Sequence, residues 1–253
     1  MWIDAGDHRI PGTLAVPAAG AGEAGLTVLM LHGFASQRHE VGDMYGREAR
    51  ALAERGITSL RIDFAGTGDS GQPHTANTFT GMVADAAMAY DWLAAETGLT
   101  IGVLGFSMGA KVGLGLLAER PDTAAFASWS GALYDGLEFE QSEYEQAVAD
   151  GSVVRDLGFA QVELSPEWFE TMRDSTPLTD AAGYTGPIVA VAGSADTTVD
   201  PSISEDFVAA LDSDDETLEI VDGADHIHNV LTDDQASADH VVQLTADWFA
   251  AHS

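Results

Sequence analysis

The chain contains no cysteine, which excludes disulfides, thiolate metal sites and a cysteine nucleophile, and agrees with a reducing compartment. Lysine is almost missing as well: Lys111 stands alone, and 10 basic residues face 41 acidic ones for a formal net charge of −31. A surface this negative repels phosphate backbones and anionic lipid head groups, which both need basic patches. Neither nucleic acid nor a membrane is therefore expected as a partner. No basic segment followed by an apolar run occurs near the start, and no apolar stretch is long enough to cross a bilayer, so a cytoplasmic, water-soluble protein is expected. Self-repulsion on this scale destabilises a compact state unless salt screens it, the Debye length falling to roughly 3 Å at 1 M salt. Acidic surfaces with scarce lysine are usual in salt-accumulating halophiles, while an acidic proteome in a high-GC organism would give the same composition; both readings stay open. A homodimer is compatible with the sequence, which does not fix the oligomeric state.

What is present is an alternation. Short apolar, β-branched runs at Leu26–Leu31, Ile57–Ile62, Ile101–Leu104, Ala124–Trp129, Ile188–Ala192 and Thr217–Val221 read as strands buried on both sides. Between them, Met44–Arg55, Phe79–Thr97, Ser107–Glu119, Pro201–Leu211 and Ala238–Ala251 carry helical spacing. This order predicts an α/β fold, a mostly parallel twisted sheet with helices on both faces, over residues 1–253 as one domain. His8–Pro17 could add an antiparallel edge hairpin, and Ala18–Gly25 is an Ala/Gly-rich turn. About fifty residues, 131–183, separate two strands that one crossover helix would normally join, so they are read as an inserted lid or cap. Within the insert, Leu137–Ala149 reads as a helix, Val153–Leu164 as a hairpin around Asp156–Gly158, and Ser165-Pro166 as an N-cap and first-turn pair.

One motif carries chemistry. Gly-Phe-Ser-Met-Gly at 105–109 lies directly after a predicted strand and directly before a predicted helix, the context a G-x-S-x-G nucleophile elbow requires. A sharp turn there would present Ser107 at the carboxyl end of the sheet, beside the positive end of its own helix.

With LHGF at 31–34, RIDFAGTGDSG at 61–71, GSADTTVDP at 193–201 and GADHIH at 223–228 in the same order, the chain resembles the α/β-hydrolase family over nearly its whole length. HGF, the helix entry GREARALAERGI at 46–57 and the long insert look most like its feruloyl and cinnamoyl esterase branch. A serine hydroxyl needs a positioned base, most often histidine. Motif position selects His226 over its nearest rival, His228; His32 more readily braces the loop before Phe34, and His8, His39, His74, His240 and His252 read as surface residues. The acid that holds the imidazole is read as Asp196, which gives the chain order Ser, Asp, His that this fold uses. Asp200, just before Pro201, better suits a helix start, and Asp225 a turn.

Main-chain N–H groups of Met108 and, by resemblance, Phe34 would form the oxyanion hole. The implied function is a serine carboxylesterase acting on a small-molecule ester, of hydroxycinnamate type or another small to medium acyl group, with no cofactor. No metal is expected, since Asp212–Glu216 and His226/His228 lack ligand spacing. His32, Tyr134, Phe159, Trp168 and Phe169 are candidates to line the substrate pocket, although insert aromatics also serve as the small core that seats an insert. Thioesterase, peptidase or acyltransferase chemistry would use the same residues, and a non-catalytic binding role is the alternative of a different class. Dehalogenase and epoxide hydrolase relatives carry aspartate where this chain has Ser107.

Overall fold

The computed structural model describes residues 1–18, 24–211 and 213–253; most of the expected turn at 18–25, and Asp212 of the acidic run, lie outside them. Ten strands are present among the described residues: β1 (Trp2–Asp4), β2 (Arg9–Ala15), β3 (Leu26–Leu31), β4 (Thr58–Ile62), β5 (Thr100–Phe106), β6 (Ala125–Trp129), β7 (Val153–Asp156), β8 (Gln161–Leu164), β9 (Ile188–Gly193) and β10 (Glu216–Val221). Eight of them form one sheet in the order β1-β2-β4-β3-β5-β6-β9-β10. Every pair from β4 to β10 in that order is parallel, while β1 and β2 are antiparallel additions at one edge. The central strands β3, β6 and β9 are buried at every position, which is why they read as unbroken apolar runs rather than alternating ones.

The crossovers are α1 (Met44–Glu54), α2 (Phe79–Thr97), α3 (Met108–Glu119), the insert, and α7 (Ser202–Ala210), with α8 (Ala236–Ala251) closing the chain. Buried side chains of α1 and α8 pack one face of the sheet, and those of α2, α3, α7 and the insert pack the other. Helix α2 shows how local sequence sets its ends: the Thr78 hydroxyl accepts from Gly81 N–H, and Gly98 takes the left-handed conformation beyond the last turn. The edge hairpin differs from expectation. Its first arm is Trp2–Asp4 rather than a segment after His8, because Gly6 (φ 89°) turns the chain before Arg9 and Ile3 pairs with Ile10.

The insert holds α4 (Gln141–Asp150), the β7–β8 hairpin, α5 (Pro166–Arg173) and α6 (Pro177–Asp180). Helix α4 begins four residues later than its spacing suggests, Leu137 and Phe139 ahead of it packing against the core from an irregular segment. Ser165 caps α5 through Trp168 N–H at 3.2 Å, as the Ser-Pro pair predicts.

Charge shapes stability in two ways. Eight of the nine arginines lie within 4.0 Å of a carboxylate, so pairing takes up most of the cations while most of the 41 acidic residues are left without a cationic partner among the described residues. The melting temperature is therefore expected to rise between dilute buffer and molar KCl, by roughly 2–4 °C for each kcal/mol of repulsion screened. A flat or falling melting curve would contradict this.

Glu48 on α1 is the second case. It is fully buried, and neither carboxylate oxygen has a hydrogen-bond partner among the described residues. Burial pushes its pKa well above the ordinary value, with Arg55 pulling back only in part. An acid raised in the folded state loses stability as pH climbs above the unfolded value of about 4.5. Glu48→Met, close in length, is expected to stabilise the protein by about 1–3 kcal/mol at pH 7. Most of that gain should vanish at pH 4, as chemical denaturation at the two pH values would show.

Candidate active site

Ser107 is the single residue between the end of β5 and the start of α3, with φ 52° and ψ −116°. That backbone is sterically costly for a side chain, and it is held by Ser107 N–H donating to Trp129 O at 2.9 Å. Gly105 and Gly109 let helix and strand close on the turn: a Cβ at Gly105 would strike the Ala110 backbone, and one at Gly109 the Leu31 carbonyl. The hydroxyl is thus lifted from the sheet at the strands' carboxyl ends.

The loops after β9 and β10 bring two partners to it. His226 Nε2 lies 3.1 Å from Ser107 Oγ, and His226 Nδ1 lies 2.8 Å from Asp196 Oδ2. The other Asp196 oxygen accepts from Thr198 N–H at 2.8 Å and Val199 N–H at 3.0 Å. Burial pushes the Asp196 carboxyl up, but His226 and these two N–H groups outweigh it and hold it below the usual carboxylate range. The imidazole packs against Phe106, ring centroids 5.2 Å apart.

The rival residues face elsewhere. His228 is buried behind the site, its Nε2 3.4 Å from Ser130 Oγ, and burial lowers its pKa to about 4. Asp200 accepts from Ser202 N–H at the head of α7, and Asp225 from Ile227 and Asn229 N–H within its own turn.

The segment after β3 approaches the same point. His32 is buried, with Nδ1 donating to Gly33 O at 2.8 Å and Nε2 3.0 Å from Thr67 Oγ1. Burial drops its pKa to about 4, so the ring is neutral. Both nitrogens are occupied, which corrects its placing among substrate contacts: it braces the loop. In a trans peptide the carbonyl and the next N–H point oppositely, so pinning Gly33 O turns Phe34 N–H away from His32. That N–H has no acceptor among the described residues, and Met108 N–H, in the first turn of α3, has none within its helix.

The remaining pocket candidates separate. Trp168 is 1% exposed, with Phe34 against it at 5.6 Å and Phe169 edge-on at 5.0 Å. Phe169 is buried deeper, packed on Phe139 and Tyr144; it seats the insert. Phe159 is 80% exposed at the β7–β8 turn and lines no pocket there, because the hairpin closes below it through Leu157 N–H to Ala160 O. Tyr134 is half-buried beneath the Lys111 ammonium, 4.7 Å from its ring centre. Lys111 also donates to Tyr134 O and Gly136 O, fastening the start of the insert to α3, and burial lowers its pKa to about 8. Among the described residues, no group of three His, Asp or Glu side chains is arranged to hold a metal ion, and no helix is long and apolar enough to cross a membrane.

A family model described as serine aminopeptidase, S33, matches residues 22–150. The chain belongs to this hydrolase family. An uncharacterized protein of Rickettsia prowazekii is 36% identical over 86 residues, 32% of this chain and 34% of its own length; the chain spans about a third of the length of the curated relatives it matches. Among solved structures, Est1E from Butyrivibrio proteoclasticus with ferulic acid bound superposes with a TM-score of 0.84 at 17% identity, covering 100% of this chain and 98% of that one. A monoacylglycerol lipase of Paleococcus ferrophilus superposes with a TM-score of 0.73 at 18% identity, covering 96% and 99%. These likenesses fix the α/β-hydrolase fold.

Proposed function

We propose that the chain is a serine carboxylesterase that works through an acyl-enzyme on Ser107. The observation that carries this reading is one continuous hydrogen-bond chain, Asp196 to His226 to Ser107, with the main-chain N–H groups of Met108 and Phe34 left without an acceptor among the described residues. His226 Nε2 takes the hydroxyl proton as Ser107 Oγ attacks the ester carbonyl. The oxyanion that forms is held by the N–H groups of Phe34 and Met108, each worth about 3–4 kcal/mol in sites of this kind. His226 then protonates the departing alcohol, and a water deprotonated by the same ring attacks the acyl-enzyme to release the acid and restore Ser107. Asp196 keeps the ring in the tautomer this needs.

For substrate we propose a small to medium acyl ester, with hydroxycinnamate esters the leading class. One observation supports it: the ferulic acid bound in the Est1E structure, whose fold this chain shares. The insert would act as a cap, with Lys111 fastening its base. The family's description favours one second reading, cleavage of amides at an amino terminus, which would use the same three residues. Labelling with a fluorophosphonate, followed by turnover of p-nitrophenyl esters of graded acyl length, methyl ferulate and amino-acid p-nitroanilides, separates these. Stoichiometric labelling with ester turnover is expected; an unlabelled protein would be a binder, and anilide cleavage outpacing ester cleavage would favour the peptidase.

A further inference from the structure

The oxyanion loop has a second brace. Glu40 sits seven residues beyond Gly33 and is 6% exposed, an expensive place for a carboxylate unless donors satisfy it. Three do: Gly33 N–H donates to Oε1, while Ser36 Oγ at 2.9 Å and Val41 N–H at 3.1 Å donate to Oε2. To reach them, Glu40 adopts φ 59° and ψ 169°, a backbone region essentially reserved for glycine and costing about 1–3 kcal/mol. A carboxylate held in a glycine conformation, in the interior, against the loop that carries Phe34 N–H, points to a job in that loop.

Resting on the esterase reading above, we propose that Glu40 is a positioning residue of the oxyanion hole, fixing the His32–Gly33 peptide so that, with the next peptide held by His32, Phe34 N–H meets the developing oxyanion. The geometry is specific. Gly33 is flanked by two peptide units: His32 pins the carbonyl of the one that follows, and Glu40 pins the N–H of the one that precedes. Neither alone fixes both planes. The loop can shift little towards the sheet, since a Cβ at Gly33 would stand 3.0 Å from the Phe106 ring, and Phe106 in turn packs on His226. Glu40 is also close enough to His226 for its charge to favour the imidazolium that forms as Ser107 attacks. Tyr45 and His228 are the other titratable groups beside it, on α1 and on the loop after β10. Burial pushes the Glu40 carboxyl above its ordinary value, and the three donors and His226 draw it back only in part.

The test compares wild type, Glu40→Gln and Ser36→Ala, counting active sites by fluorophosphonate titration so that kcat refers to folded, labelled enzyme. Glutamine keeps the size but can offer only one accepting oxygen to three donors. For Glu40→Gln, kcat per titrated site on p-nitrophenyl acetate is expected to fall about 10–100-fold, as for a displaced oxyanion donor. KM should stay within about threefold, and the Ki of a trifluoromethyl ketone should rise in step with the loss in kcat/KM. Ser36→Ala, which removes one donor without stranding the carboxylate, should lower kcat per site by about two- to fivefold. A purely structural Glu40 would reduce only the titratable fraction. Wild-type kcat per site in Glu40→Gln, or in Ser36→Ala should Glu40→Gln fail to fold, would overturn the proposal. Failure of the esterase reading itself would appear independently, as absent labelling of the wild-type protein.

Discussion

Ser107→Ala is expected to reduce kcat on a p-nitrophenyl ester by about 10⁴–10⁶-fold, because the triad acts as a unit and loses nearly all its effect with its nucleophile. The variant should still fold. Among the described residues Ser107 Oγ makes a hydrogen bond only to His226, and alanine accepts the φ of 52° no worse than serine does. The main-chain bond to Trp129 O that holds the turn is untouched. Melting temperatures should agree within a few degrees, which distinguishes loss of chemistry from loss of fold. Substrate binding should survive, since Phe34 and Met108 offer main-chain groups that the substitution leaves in place. A KM or Kd for a substrate analogue close to wild type, together with a vanished labelling signal, is the expected pattern. More than about one per cent of wild-type turnover in the variant would place the nucleophile elsewhere.

The parts of this arrangement that local rules govern are legible in the amino-acid sequence. Leu26–Leu31 and Phe79–Thr97 have the same bounds in sequence reading and structure, because a strand buried on both faces is apolar throughout and a helix ended by Thr and Gly signals its own limits. The elbow is legible for the same reason: Gly105 and Gly109 answer a steric demand acting within five residues. The His226 and Asp196 positions can be read because each sits in a turn just past a strand end, so topology carries both to one edge of the sheet.

Glu40 cannot be read that way. Among 41 acidic residues a single glutamate carries no mark of burial, and its positive φ is invisible in sequence. The insert shows the complementary limit. Its six aromatic residues announce a small core, but whether each points to the sheet, the site or solvent depends on how the hairpin and α5 dock. Hence Phe159, apolar and placed in a turn, reads as lining yet lies in solvent, while Phe169 goes into the core. Tertiary direction, not residue type, decides both.

Asp196→Asn is the change that isolates the role of the acid. The replacement amide cannot choose its orientation. One side-chain atom must accept from Thr198 and Val199 N–H, so the oxygen is held there and the NH2 is turned to His226 Nδ1, which lies 2.8 Å from the atom it replaces. An NH2 donor facing Nδ1 forces the ring proton onto Nε2. That nitrogen faces Ser107 Oγ and, once protonated, cannot take the hydroxyl proton. The expected loss in kcat is about 10⁴-fold at pH 7, with KM little changed and the fold intact because both turn hydrogen bonds persist. Fluorophosphonate labelling should slow by a comparable factor yet still reach one equivalent per chain, since Ser107 remains in place. Raising the pH should restore part of the rate as hydroxide replaces the missing base. A loss smaller than about tenfold would mean that another carboxylate orients the imidazole, and Asp200 and Asp225, both committed to their own turns, would have to leave them to do so.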